Sequence, residues 1–352
     1  MRHVVLLCGG RSAEHEVSLV SVQFVMKSLD KQRFRVSVLG INKDGSTMSR
    51  TDLLAEFQES DWEGIEFPEV DGWISFLQRL NPDSSIVFPV LHGPYGEDGT
   101  VQGLLEVLDL PYVGASVGGS AVGMNKAYCK AILRSACLPV LPALTTDLES
   151  WKNSASKILD QIFEELSLPV FVKPANMGSS VGISRCLDRV QLRAGVEKAL
   201  DYDDFVLIEQ GVVAREIEVS VLGALEPKVS VPGEIIPDDV FYSYESKYIN
   251  DSSRLVIPAQ LESEKVEEIS RLAIQAFKVL QLEGMARVDF LVEKATGAIW
   301  INEPNTIPGF TDISMYPKLW EASGLPADQL LSELVEVGIK RHLRRARLKV
   351  DR

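Results

Sequence analysis

Residues 173–182 read KPANMGSSVG: a lysine and a proline, then two glycines and two serines with almost no side-chain bulk. An apolar run, LPVFVKP (168–174), leads into the segment and another, VGISRC (181–186), leads out, so it reads as the turn of a β-hairpin flap. Backbone N–H groups in such a turn can close on phosphate oxygens, and Lys173 adds a point charge at its edge. The pattern is not a Walker A loop, because no GxxxxGK[ST] occurs and the lysine precedes the glycines. An ordinary flexible hairpin carries the same residues, since glycine and serine are common in turns. The surroundings have to decide.

Upstream, HVVLLCGG (3–10) reads as a buried strand, roughly 14–28 as an amphipathic helix, and FRVSVLGI (34–41) as a second strand. SSIVFPVLHG (84–93) adds another strand running into a glycine-rich loop. This is βαβ logic, which predicts parallel strands with ligands near their C-terminal ends. The expected first domain spans 1–125. In 126–212, helix and strand patterns around the flap predict a compact α+β unit, ending in helix 187–200 and strand DFVLIEQ (204–210). The remainder, 213–352, opens on REIEVSVLG, whose alternation predicts an antiparallel sheet. The expected architecture is therefore α/β and α+β in three domains: a parallel-sheet N-terminal domain and two α+β units.

The bulk numbers agree. A chain of 352 residues suits two or three domains, and no apolar run approaches the roughly 20 residues needed to cross a bilayer. The apolar start of MRHVVLLCGG is too short for a signal peptide's core. Four cysteines without CxxC spacing suggest neither a zinc site nor a disulfide framework, which fits a reducing cytoplasm. A net charge of −14 opposes binding to a nucleic-acid backbone. The basic tail KRHLRRARLKVDR (340–352) fits a partner contact or the ordinary preference for cations at a helix C-terminus.

Companions for the flap lie in the last third. GMARVDFLV (284–292) puts Arg287 and Asp289 on one face of a strand, and IWINEPNTIPG (299–309) repeats the spacing with Glu303 and Asn305. Asp289, Glu303 and Asn305 form an all-oxygen set suited to magnesium; an ion pair of Arg287 with Asp289 or Glu303 fits the same letters. In EQGVVAREIEV (209–219), Glu209 and Glu216 suit ribose or an adenine amino group, and equally suit solvated edge charges.

The order of these features resembles the ATP-grasp superfamily, which holds ATP between two α+β units. GGRSAEHEVSLVS (9–21), HGPYGEDGTVQG (92–103), the flap, FYSYESKYI (241–249) and NEPNTIPGFTDISMYPKLWEASG (302–324) narrow the resemblance to the D-alanine:D-alanine ligase family, in the longer of its two bacterial forms. It covers nearly the whole chain. It implies that ATP phosphorylates one D-alanine carboxylate and that the amine of a second D-alanine attacks the acyl phosphate, without nucleic acid or membrane.

By motif, the resemblance assigns Lys126, Lys173 and Lys247 to ATP phosphates, with Gly178, Ser179, Ser180 and Val181 in the flap above them. Glu209, Gln210, Val212 and Glu216 would hold adenine and ribose. Asp289, Glu303 and Asn305 would bind two magnesium (or manganese) ions, while Arg287 and the Gly309 N–H stabilise an oxyanion. Glu14 would take the first substrate's ammonium, although a helix N-terminus attracts glutamate anyway. Ser179 and Tyr248 would join Glu14 in orienting a lid over 240–254, and Ser314 and Met315 would bind the second carboxylate. His92 fits a role near the first substrate or a structural hydrogen bond. The resemblance also implies a cytoplasmic homodimer. A D-alanine:D-lactate ligase and another ATP-grasp carboxylate–amine ligase are the rival readings; Tyr248 matches the dipeptide-forming pattern.

Overall fold

The computed structural model describes residues 1–58, 60, 62–236 and 254–349. Strand β1 (Arg2–Gly9) pairs in parallel with β2 (Phe34–Ile41) and β4 (Ser85–Pro89), and β3 (Ile65–Glu66) extends the sheet to the order β3-β2-β1-β4. All of β1 after Arg2 is buried, as expected of a parallel strand covered on both faces. On one face, α1 (His15–Ser28) supplies Leu19, Val22, Val25 and Met26. The opposite face is closed by a cluster that includes Leu77, from α3 (Trp73–Leu77), and Val101 and Leu105, from α4 (Thr100–Val107). Burying each such side chain contributes about 1.5–3 kcal/mol. The short α2 (Arg50–Ala55) sits at the edge, its N-terminus capped by Ser49.

The chain's far end returns to the first sheet. Leu330, Leu331, Leu334 and Val335 of the last helix, Ala327–Arg345, join the α1 side of the core together with Phe310, Tyr316 and Trp320. Its arginines are spent internally. Arg341 is 3% exposed, donates to the Gly114 and Tyr112 carbonyl oxygens and lies 3.8 Å from the Tyr112 ring centroid. Arg344 pairs with Glu283 and Arg345 with Glu106.

The second sheet is antiparallel, in the order β5 (Ala143–Asp147), β8 (Phe205–Gln210), β6 (Val170–Pro174), β7 (Ser184–Cys186). Two helices pack on it, α7 (Leu148–Glu165) and α8 (Arg189–Leu200), each capped by the aspartate that precedes it. The flap joins β6 to β7 across an antiparallel pair.

The third sheet runs β12 (Arg254–Val256), β11 (Gly233–Ile236), β9 (Ala214–Gly223), β13 (Gly284–Glu293), β14 (Ile299–Asn305), with β10 (Lys228–Val229) beside β9. After α5 (Val117–Met124) comes α6 (Lys126–Ser135). The Cys129 and Leu133 side chains of α6 pack with Ile217, Val219 and the helix Ser263–Val279 beneath this sheet. The polar face of α6 is left for the cleft between the second and third sheets.

Candidate active site

In the first sheet the strand order turns back between β1 and β4, and a crevice at such a switch point is where open α/β sheets bind ligands. Glu14, just after β1, is buried at the start of α1, where its side chain does not cap the helix. The Ser12 hydroxyl accepts from the Glu14 N–H at 3.0 Å and donates to the His92 carbonyl oxygen at 2.7 Å, tying the loops after β1 and β4 together.

His92 is wholly engaged in structural bonds. Its Nδ1 donates to the Ile307 carbonyl oxygen at 3.0 Å, which leaves Nε2 to accept from Ser21 Oγ at 2.8 Å; Ser21 in turn accepts from the Phe310 N–H. Burial holds the imidazole below its ordinary pKa despite the nearby Glu14 charge and the Ile307 bond. A neutral ring with both nitrogens occupied anchors the 307–310 loop; of its two sequence readings, the geometry supports the structural one.

Ser179 of the flap donates a hydrogen bond to Glu14 Oε1. Ser179 and Ser180 both take positive φ, 48° and 59°, which makes the tip tight. Gly178 and Gly93 flank the same carboxylate: a Cβ on either would lie 2.6 and 2.7 Å, respectively, from Glu14 Oε2. The flap base is fixed as well, because Asn176 is held by Asp203 and by Asn125, the residue that caps α6. Val181 closes the turn with a bond from its N–H to the Gly178 carbonyl at 3.1 Å.

Between the second and third sheets lies a cavity of about 470 Å³, reached by Lys173, Ser180, Gln210, Val212 and Glu216 and walled by Phe171 and Leu291. Phe171 and Leu291 give it an apolar wall that suits a nucleobase, and much of the remaining lining is charged, including Lys173, Arg215, Glu216 and Asp289. Lys126, at the first turn of α6, donates to the Met177 carbonyl at 2.6 Å and lies 3.4 Å from Glu303. Glu209 occupies the centre of the charge pattern, 2% exposed, with Lys173 2.6 Å from one oxygen and Lys130 paired with the other. Burial alone would raise the Glu209 pKa, but the two lysines outweigh it and hold the carboxyl below its ordinary value. Burial works against the Lys173 ammonium too, and Glu209, Glu303 and Glu216 keep it raised. Both oxygens of Glu209 are thus committed to cations, while Glu216 and Gln210–Val212 line the same cavity.

At the β13–β14 end of the cleft, antiparallel register sets Asp289 of β13 opposite Glu303 of β14, and Arg287 opposite Asn305. Arg287 grips Asp289 bidentately at 2.7 Å and lies 3.0 Å from Glu218 of β9, itself opposite Asp289. The ion pair is therefore formed, with Asp289 and Glu218 as its carboxylates. Among the described residues no three carboxylate, imidazole or thiol side chains are grouped to hold an ion by themselves. The donors are nonetheless all oxygens, two carboxylates in register and the Asn305 amide, and a hard cation that also binds phosphate oxygens fits them.

Beyond β14 the chain runs into the aromatic cluster of Phe24, Phe88, Phe310 and Tyr316, with Phe310–Tyr316 centroids 5.5 Å apart. That anchor fixes Gly309, whose added Cβ would lie 2.8 Å from Ser314 Oγ. Ser314 begins the helix Met315–Ala322, and its hydroxyl accepts from the Thr311 N–H. Met315 buries its side chain beside Ile235 and Leu319, so what it offers a ligand is a backbone N–H at a helix N-terminus. Lys247 and Tyr248 lie outside the described residues.

Three charged residues escaped the sequence reading. Lys130 lies one turn beyond Lys126 on the same helix face, and Glu218 two residues beyond Glu216 on the same strand face. Glu97, inside the quoted HGPYGEDG loop, is 6% exposed and accepts the Gly93 N–H at 2.6 Å. Burial, then the Glu14 charge, pushes its carboxyl up to about 8.

Two family models match the chain: one described as D-ala D-ala ligase N-terminus over residues 3–115, the other as D-ala D-ala ligase C-terminus over 132–336. A D-alanine--D-alanine ligase of Heliobacterium modesticaldum is 45% identical over 357 aligned positions, covering 99% of this chain and 98% of that protein. One from Clostridium novyi is 45% identical over 340 positions, covering 97% and 98%. Among solved structures, the D-alanine-D-alanine ligase of Coxiella burnetii superposes with a TM-score of 0.81 at 37% identity, covering 98% of this chain and 96% of that one. The VanG D-Ala:D-Ser ligase of Enterococcus faecalis gives 0.80 at 29% identity, covering 96% and 99%.

Proposed function

The chain belongs to the D-alanine--D-alanine ligase family, and from that membership we propose how its side chains carry the ATP-dependent joining of two D-alanine molecules. The observation that carries the assignment of roles is the Ser179–Glu14 hydrogen bond, which brings the flap over the nucleotide cleft into contact with the carboxylate at the β1–β4 switch point.

An unactivated carboxylate has no leaving group to expel, so the first step supplies one. A carboxylate oxygen of the first D-alanine attacks the γ-phosphorus of ATP, ADP departs, and a D-alanyl phosphate forms. Glu14 holds the ammonium of this substrate, while Lys126 and Lys173 take phosphate oxygens and the 176–181 flap covers them. The uncharged amine of the second D-alanine then attacks the acyl carbon, inorganic phosphate leaves, and the amine nitrogen gives up a proton. Ser314 and the Met315 N–H bind the second carboxylate. Arg287 keeps Glu218 as its anchor and turns its terminal N–H groups, with the Gly309 N–H, toward the oxyanion of the tetrahedral intermediate. Asp289, Glu303 and Asn305 would hold magnesium, which supplies charge neutralisation on the transferring phosphoryl group. Flap closure excludes water, which would otherwise hydrolyse the acyl phosphate.

Family membership extends this reading to a homodimer working in the cytoplasm on peptidoglycan precursors; no helix among the described residues is long and apolar enough to cross a membrane. The test is coupled phosphate release with ATP, magnesium and D-alanine, with the dipeptide detected by chromatography. Phosphate and D-alanyl-D-alanine should appear in equal amounts, and neither with L-alanine. Phosphate release no faster than without enzyme would refute the assignment, and equal use of D-lactate as acceptor would move it to a depsipeptide ligase.

A further inference from the structure

Lys173 has two claims on it. The nucleotide site needs its ammonium on a phosphate oxygen, yet in the structure it lies 2.6 Å from a carboxylate that is 2% exposed. Releasing Lys173 from Glu209 would strand a buried anion, which costs several kcal/mol when nothing else neutralises it. Something else does. Lys130 projects from α6 one turn after Lys126, is 4% exposed, and pairs with the second oxygen of Glu209. Its position is rigid: the same helix buries Cys129 and Leu133 in the core under the third sheet, and Asn125 caps its N-terminus. Lys173 is the less confined of the two lysines, at 13% side-chain exposure against 5%, and it also reaches Asn302 at 3.4 Å and lines the cavity.

We propose that Lys130 is a positioning residue of the nucleotide site: a fixed counter-charge that keeps Glu209 neutralised, so that Lys173 can pass from Glu209 to a nucleotide phosphate without leaving a buried carboxylate unpaired. The proposal rests on the ATP-binding role assigned to the cleft. Without Lys130, Glu209 has Lys173 as its only counter-ion among the described residues and holds it back from the phosphates. Nucleotide affinity therefore falls while the distant amino-acid subsites do not change.

The test is isothermal titration of magnesium–ADP, with steady-state kinetics, on the wild-type chain, Lys130→Met, Glu209→Gln and the double variant. Lys130→Met should weaken ADP binding and raise the KM for ATP by about tenfold or more, with the KM for D-alanine within about twofold. Adding Glu209→Gln should recover most of that loss, because Lys173 is then no longer claimed. Lys130→Arg, which retains the charge, should bind ADP more tightly than Lys130→Met. Lys130→Gln keeps a hydrogen bond to Glu209 without the charge, and it carries the same expectation should the methionine variant fail to fold. Uncharged variants that bind ADP like the wild type, or a double variant as weak as the single one, overturn the role of Lys130 and leave the ligase reading intact. A wild-type chain that binds no ADP removes the nucleotide site, and the role of Lys130 with it.

Discussion

The Ser179 hydroxyl donates to the Glu14 carboxylate across 165 positions of chain, linking the tip of the β6–β7 flap to the first turn after the opening strand. A hydrogen bond to a charged group contributes about 1.5–3 kcal/mol. The bond holds the flap tip against the carboxylate, so Ser179→Ala should lower kcat/KM for D-alanine by roughly 10- to 100-fold. Steady-state phosphate release against D-alanine concentration measures this; an unchanged value would detach the flap from the amino-acid site.

Gly178 meets the same carboxylate by close approach. An added Cβ would lie 2.6 Å from Glu14 Oε2, nearer than non-bonded atoms tolerate, so Gly178→Ala should hold the flap away from Glu14. Water then reaches the acyl phosphate. The expected signature is a phosphate-to-dipeptide ratio above one with a thermal midpoint close to the wild type, since the flap lies outside the core clusters.

The parts of this molecule that follow from local pattern were legible in the sequence. The alternation of REIEVSVLG gives β9, and the continuous apolar run HVVLLCGG gives the central buried strand β1. Arg287, Asp289, Glu303 and Asn305 could be placed because a period of two fixes the strand face, and β13–β14 register then sets the two carboxylates opposite each other. Contacts made through tertiary packing could not be read that way. Lys130 was visible as a lysine one turn from Lys126, but only the docking of β8 beside α6 gives it Glu209. The basic tail allowed a partner contact or a plain helix end. Arg341, Arg344 and Arg345 in fact reach Tyr112, Gly114, Glu283 and Glu106, a result of the last helix folding back over the first sheet.

The register of Asp289 and Glu303 leads to a paired expectation. Asp289→Asn keeps the shape but removes the charge that faces Arg287 at 2.7 Å, and Glu303→Gln does the same beside Lys126. Each should lower kcat by on the order of 100-fold or more, and each should reduce the thermal stabilisation that ADP gains from added magnesium. Chelation should abolish turnover in the wild type, with recovery on adding magnesium. Magnesium-dependent stabilisation equal to the wild type in both variants would place the cation elsewhere.

Arg341 makes a prediction about stability alone. Its guanidinium satisfies the buried Tyr112 and Gly114 carbonyl oxygens while stacking on the Tyr112 ring. Arg341→Met retains much of the packing but leaves two buried acceptors unpaired, each worth about 1–3 kcal/mol. Urea unfolding should show a loss of about 2–5 kcal/mol, with the KM for ATP in the folded fraction unchanged. A loss below 1 kcal/mol would mean that water reaches those carbonyls.

Glu97 ties stability to pH. Its carboxyl is raised to about 8, first by burial and then by the Glu14 charge; the N–H groups of Gly93 and Ile307 and the Lys126 charge pull the other way. A carboxyl raised in the folded state binds its proton more tightly there than in the unfolded chain. Its contribution to stability is therefore complete below the ordinary glutamate pKa and is lost as pH rises through about 8. Glu97→Gln keeps an acceptor for the Gly93 N–H and has no proton to lose, so the variant should gain on the wild type as pH increases. The difference between pH 5.5 and pH 9 should be on the order of 2–4 kcal/mol, read from denaturant unfolding at each pH. Parallel pH profiles for the two proteins would mean that Glu97 titrates as an ordinary carboxylate, and that Glu14 works beside a second full negative charge.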